Sequence, residues 1–562
     1  MGTQASSGVF ARKPISDLQP VEGAHSLKRA LGAGDLIMLA IGAVIGAGIF
    51  SSIGTAAAGE IRPDGTIVRA AAGPALILSF LLLGIVCGLA ALCYAELAAM
   101  IPQAGSAYAY SYATLGELVA WVIGWDLILE YAVGNIAVAV AWGGYFTSFM
   151  SGFGITFPEW LTHGYRAVSV SADPAVRALL DTAPRLGGIP ILLNLPAFAI
   201  VMLVTWVLLL GVSESARANN IMVVIKLLVL TLFVVVGALH IDTANYVPFA
   251  PNGWAGIHQG AAIVFFAYIG FDAISTAAEE TRNPQRNLPI GILGGLAVCT
   301  LIYVIVGIVA TGLVPYMELR AADPLAKALD VAGLKTAGWI VSFGAVISIS
   351  AVLLVFQYGQ PRIFFAMARD GLLPAWAAKL SEKRRVPHIT TWVTGIVVAL
   401  GALVADENEI YDLTNIGTLS AFAIVCIGVL VLRYTEPDRP RPFRVPAVWA
   451  VSLLGAFACF YTMLGLPRTA WERFGIWLVI GSLIYAFYGY RNSQLRRVQR
   501  QDPAYSNSLL RRAGPVLRTR RQIKWSFRVL RKFPTGCHGS RLDCGARGAR
   551  PQPQEYRRRS AA

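Results

Sequence analysis

The sequence predicts an all-α polytopic membrane protein in which two of the spans are broken midway. Three observations lead there. The 562 residues are 56% hydrophobic and only 14% charged, with a mean hydropathy of +0.59, against roughly 25% charged residues in a soluble domain. Apolar stretches of the length a bilayer demands, about 20 residues each, recur along the whole body. Two of these stretches, Ile41–Phe50 and Phe265–Ala273, carry glycines where a simple anchor would stay helical.

Taken in order, about twelve spans fall near residues 34–58, 73–98, 118–150, 189–211, 219–240, 256–279, 289–314, 337–367, 389–405, 411–432, 446–466 and 472–490. The first lacks the short apolar core and small-residue cleavage site of a secretory signal, so it reads as retained. Residues 1–32 form an N-terminal segment and 33–490 the membrane body, and 491–562 form a basic tail. The tail explains the net charge of +15: after residue 490, 19 Lys or Arg stand against three acids, a net +16, so the preceding 490 residues carry −1. Such a tail would lie on anionic lipid, or touch nucleic acid without specificity. From Arg541 onward it lacks apolar periodicity and should be disordered.

With the N-terminus inside, the loops on that side hold 16 Lys or Arg before the tail and the opposite loops hold ten. The positive-inside rule then places both termini in the cytoplasm. Five of the seven cysteines fall within spans and two in the tail, which suggests no extracellular disulfide framework.

The two breaks are the most informative feature. Glycine costs about 1 kcal/mol against alanine in a helix, and Gly42, Gly46 and Gly48 fall within seven residues. Non-helical backbone at membrane depth is tolerated only where it is buried in protein or lines a cavity. Paired interruptions in two halves of a chain point to a solute site. A competing reading is that Gly42 and Gly46 form a small-xxx-small packing face. Gly48 argues against packing alone, because Gly46 and Gly48 loosen consecutive backbone positions. In the sixth span, Gly270 beside Asp272 suggests an unwound segment, although Tyr268 and Phe271 also suit an ordinary core.

Ionisable side chains at mid-bilayer cost about 2.5–3.5 kcal/mol on insertion scales and are functional by default. Lys226 lies about two turns into the fifth span. Glu130 lies in the third, with Asp126 one turn earlier on the same face, and Asp272 follows the sixth-span break. Burial would let Lys226 lose and regain a proton and so couple solute movement to a proton gradient. The alternative is that Lys226 pairs with Glu130 or Asp272 to hold helices together, and even that pair would mark a polar cavity. Near the ends of spans, Glu96 reads equally as a gate residue or an interfacial carboxylate, and Arg362 as a topological anchor. No Gly-rich phosphate loop occurs, and the six histidines lack metal-ligand spacing. No cofactor, metal or catalytic group is therefore expected.

The ordered succession of Gly42–Phe50, Tyr94–Leu97 with Pro102 and Gly105–Tyr108, Gly124–Tyr131, Phe266–Asp272 and Asn283–Arg286 resembles the amino acid-polyamine-organocation superfamily, most nearly the bacterial relatives of cationic amino acid transporters. The likeness covers roughly residues 28–490 and does not extend to the tail. It implies a five-plus-five inverted repeat, about 33–240 and 256–432, with two further helices at 446–490. It also implies a site between spans 1 and 6 for an L-amino acid. The substrate carboxylate would meet the amides of Gly46, Ala47 and Gly48, and its ammonium the carbonyls of Phe266, Ala267 and Ile269. The charges agree, since a helix N-terminus favours an anion and unwound carbonyls a cation. By the same likeness Lys226 stands where sodium binds in sodium-coupled cousins. The expected protein is a proton-coupled importer of the inner membrane. An amino acid sensor without net transport and an amino acid/polyamine exchanger are the rivals, and cationic and small neutral substrates both remain open.

Overall fold

A computed structural model of the chain describes residues 9–14, 31–101, 106–210, 216–381 and 386–501. The expected break at Pro102 and Gly105, and the tail beyond residue 501, lie outside the described residues. Within them, eight helices are long and apolar enough to cross a membrane, and the bent pair Ala33–Val44 and Gly48–Ala58 adds a ninth. Three shorter apolar helices, Leu195–Leu209, His388–Val404 and Val448–Met463, stand where spans 4, 9 and 11 are expected. The remaining spans are Gly73–Met100 (span 2), Glu117–Ser151 (3), Asn220–Ala238 (5), Gly253–Ser275 (6), Pro284–Leu313 (7), Lys335–Arg369 (8), Glu407–Thr435 (10) and Arg468–Arg497 (12). The chain is an all-α polytopic membrane protein.

Local chemistry sets several boundaries that hydropathy misplaces. Span 4 starts at Leu195 rather than near 189 because the Asn194 carboxamide accepts the Ala197 amide at 3.1 Å and Pro196 occupies the first turn. Both features belong to a helix N-terminus. Span 10 starts four residues early, at Glu407, where Asp406 caps the Glu409 amide at 3.0 Å. Span 12 runs on through a wide turn at Tyr485–Gly489 to Asn492, and a further helix covers Gln494–Gln501. The first residues of the basic tail are thus helical, with Arg496 3.1 Å from the buried Glu117 carboxylate.

Burial separates a central set of spans from a peripheral one. The most apolar window of span 6 is 89% buried and that of span 3 is 83%, against 33% in span 5 and 22% in span 12. Side chains such as Ile85, Leu228, Leu301 and Phe457 are exposed, as lipid-facing positions require. The buried carboxylates Glu130 and Asp272 lie on these central spans, and span 6 carries one of the two breaks.

After span 1 the chain turns through a small antiparallel hairpin pairing Glu60 with Arg69. Arg69 is 1% exposed and donates to Asp412 of span 10 at 2.6 Å, with Glu60 3.9 Å away. Burial outweighs the Arg69 charge and pushes the Glu60 carboxyl up to about 7. A carboxyl raised in the folded state penalises folding once ionised: the penalty is absent below about pH 4.5 and complete above pH 7. Glu60→Gln is therefore expected to stabilise the protein near pH 8, by on the order of 3 kcal/mol at most, and to change little at pH 4. Melting temperatures of the purified variant and parent across this range check it. A gain independent of pH would contradict the assignment.

Candidate solute site

Span 1 stops being helical at Val44, where Ile45 takes an extended ψ of 103°, and resumes at Gly48 with a 46° bend between the halves. Span 6 is α-helical over Gly253–Val264 and tightens to a 3₁₀ turn at Phe265–Tyr268. It is extended at Ile269 and continues as a 3₁₀ helix over Asp272–Glu280. Gly270 sits at φ +112°, a conformation open to glycine and strained for other residues. The break is longer than the sequence suggests, since the helix beyond it does not return to α geometry.

The two breaks meet. A Cβ at Gly48 would overlap the Ala267 Cα, one at Gly46 would strike Val352 of span 8, and one at Gly270 would come within 3.0 Å of the Ala43 carbonyl. Close packing and unwinding are thus both served by these glycines rather than being alternatives. Gly48→Ala should already force the segments apart. Binding of the transported solute is expected to weaken by at least about tenfold, since overpacking costs about 1–3 kcal/mol. Solute-dependent thermal shift measures this, and unchanged affinity would exclude the contact from the site.

The carbonyls released by the first break are taken by side chains. Lys226 Nζ donates to Gly42 O at 2.8 Å and to Ile45 O at 2.7 Å. Tyr303 Oη lies 3.0 Å from Val44 O and 2.7 Å from Ala267 O, bridging both breaks from span 7. In a continuous helix these three carbonyls of span 1 would accept the amides of Gly46, Gly48 and Ile49. Lys226 therefore secures the unwound backbone of span 1. On the other break, the Phe266 carbonyl accepts the Ile269 amide at 3.3 Å, so Phe266 and Ala267 each offer only a second lone pair. Asn415 of span 10 holds the end of the span 6 helix through the carbonyls of Ala262 and Ile263, at 2.9 and 3.0 Å.

Glu130 and Asp272, each at most 1% exposed, come together within hydrogen-bonding reach. Thr418 donates to Glu130 at 3.3 Å and Ser106 to Asp272 at 3.2 Å. The third span is opened into a π turn at Leu129–Val133, around Glu130. Such bulges often mark functional positions.

Ties lie on both sides of the breaks. On the side of the N-terminal segment, Lys13 meets Asp370 at the end of span 8 at 3.0 Å, and Tyr108 donates to the same carboxylate at 2.8 Å. On the other side, Ser51 donates to Glu407 at 3.0 Å and Thr55 to Asn408 at 2.9 Å, joining span 1 to span 10. There Phe266 packs against Tyr411 with ring centroids 4.4 Å apart. Sequence reasoning does not single out Tyr303, Glu407, Asn415 or Thr418. A tyrosine flanked by Ile302 and Val304 in mid-span is the one signal available for Tyr303.

Comparison with known proteins agrees with this architecture. Residues 31–492 match the amino acid permease family. The chain is 44% identical to the branched-chain amino acid permease BcaP of Bacillus subtilis, over 87% of this chain and 99% of that protein. It is 43% identical to the methylthioribose transporter of the same organism, over 87% of this chain and all of the relative. With the vacuolar cationic amino acid transporter 4 of Arabidopsis thaliana it shares 37% identity, over 77% of this chain and 68% of the relative. The broken spans, their shared backbone contact and these matches together mean that the chain belongs to the amino acid permease family, within the amino acid-polyamine-organocation superfamily.

Proposed function

We propose that this permease imports L-amino acids with apolar side chains across the cytoplasmic membrane together with protons, by alternating access. Its termini lie in the cytoplasm and its two five-span repeats, about 33–240 and 256–432, are inverted relative to one another. The observation that carries the reading is the meeting of two unwound segments at Gly48 and Ala267, with a buried lysine holding the freed carbonyls of the first. The amides of Gly46, Ala47 and Gly48 are offered to the substrate carboxylate. The carbonyls of Phe266, Ala267 and Ile269 are offered to its ammonium.

An apolar side chain is favoured by what surrounds the breaks. Phe266 and Tyr411 supply aromatic surface, and Glu130 and Asp272 engage each other and two hydroxyls. A cationic side chain would need one of those carboxylates released to it. The relative named for branched-chain amino acids supports the same choice, whereas the relative named for methylthioribose means that overall identity alone does not fix a substrate.

Lys226, Glu130 and Asp272 are the proton-carrying groups. An ammonium that bonds the Gly42 and Ile45 carbonyls favours the bent form of span 1. Its deprotonation takes the charge out of those two bonds, weakens them and frees the segment to move. The paired ties, Lys13–Asp370 on one side and Ser51–Glu407 on the other, would break in turn as the site opens to each side. The direct test is a competition panel of all common amino acids in proteoliposomes at two pH values. Leucine, isoleucine and valine are expected to compete and to accumulate under an inward proton gradient. Binding without accumulation would favour a sensor, and countertransport indifferent to pH an exchanger.

A further inference from the structure

Four residues before Glu130 on the same span, toward the N-terminal side, Asp126 is 1% exposed. Its Oδ2 lies 2.9 Å from the Ser420 hydroxyl of span 10, and its Oδ1 has no hydrogen-bond partner among the described residues. The same Ser420 oxygen lies 2.7 Å from the Gly417 carbonyl. A serine hydroxyl carries one hydrogen. That hydrogen serves one oxygen at a time: given to Asp126 it meets an ionised carboxylate, and given to Gly417 it leaves the contact with Asp126 to be completed by a hydrogen on the carboxyl itself. An ionised Asp126 would instead pull the serine hydrogen away from Gly417 and leave a buried anion with a single donor, which is costly by several kcal/mol.

Among the described residues, no cation packed on this stretch is placed to compensate. On span 10, Arg433 holds Glu96. On span 12, Arg473 holds Glu409. On span 8, Arg362 lies over the Tyr358 ring. The adjoining helix Ser106–Thr114 presents Tyr108 and Tyr112, engaged with Asp370 and Glu117, and Tyr110. The nearest titratable group along span 3 is Glu130, one turn away. Span 10 serves both acids alike, with Thr418 on Glu130 and Ser420 on Asp126.

We propose that Asp126 is a second proton-carrying acid of span 3, the station between the Glu130–Asp272 pair and the cytoplasm. This rests on the proton-coupled reading above. The O–H bond of Asp126 breaks first, its hydrogen passing to cytoplasmic water, and the Ser420 hydrogen turns to the short-lived anion. The hydrogen of the Glu130 carboxyl then leaves as an O–H bond forms again on Asp126, which restores its protonated form. No electrons are exchanged.

The test uses the full chain in proteoliposomes with leucine as solute. Asp126→Asn keeps the shape and a contact to Ser420 but carries no labile carboxyl proton. Accumulation under a pH gradient is expected to fall by about tenfold or more, with solute exchange at equal pH reduced far less. Infrared difference spectra of the parent should contain the C=O stretch of a protonated carboxyl that Asp126→Asn removes and Ser420→Ala shifts. A variant that accumulates leucine like the parent, one that loses exchange and accumulation together, or an unchanged infrared band would each overturn the assignment. A parent that accumulates leucine regardless of pH gradient would overturn proton coupling itself, and this station with it. The two failures are therefore distinguishable.

Discussion

Lys226→Ala is expected to abolish uphill uptake while leaving the protein inserted and folded. The lysine donates two hydrogen bonds, at 2.8 and 2.7 Å, to carbonyls that a continuous helix would have satisfied itself. Without them Gly42 and Ile45 are left with buried acceptors lacking the lysine, at a cost of about 1–3 kcal/mol for each group left unsatisfied. Span 1 would then settle in another geometry. A carrier moving one proton per solute sustains about a tenfold concentration ratio for each pH unit of gradient, and the variant should let this ratio fall to one. Lys226→Arg separates the two roles of the side chain. Arginine supplies a cation and more than enough donors, but it does not deprotonate in a protein. It should preserve binding and still fail to accumulate. Uphill uptake by Lys226→Arg would show that the group serves only as a prop for the broken helix.

The architecture is legible in the sequence because the bilayer imposes so strong a constraint. Every span expected from hydropathy is represented by a helix, and the two glycine-marked interruptions are where the helices break. What sequence does not supply is partners. Charge suggests charge, so the alternative reading of Lys226 gives it a carboxylate partner, whereas two of its bonds run to main-chain oxygens that no residue code displays. Glu130 and Asp272 stand 142 positions apart in the chain and meet only because spans 3 and 6 both lie in the buried centre. Hydropathy misses the helix starts at Leu195 and Glu407 by four to six residues, because a single capping side chain overrides the apolar pattern there. It also presents the glycines as either packing or unwinding positions. The structure assigns both roles at once, because an unwound segment in a close-packed interior must also be thin.

Glu96→Ala is expected to be severely destabilising. The sequence leaves this residue balanced between gate and interfacial carboxylate, and the structure makes it a fully buried anchor. Arg433 donates to it through two nitrogens at 3.0 and 2.6 Å. The Arg441 Nε stands 3.2 Å away, and the Val445 amide donates at 2.8 Å. Span 2, the end of span 10 and the connection to span 11 are thereby fastened to one carboxylate. Its removal leaves Arg441, whose side chain is 2% exposed, without its counter-charge. Breaking a buried ion pair from one side costs about 3–5 kcal/mol. Glu96→Gln keeps an acceptor for one arginine and for the amide, so it should lose less. Uptake normalised to inserted protein discriminates anchor from gate. An anchor predicts lower melting temperature and yield for Glu96→Ala, with near-normal turnover in the molecules that survive. A variant of unchanged stability whose turnover collapses would return Glu96 to the moving parts of the transport cycle.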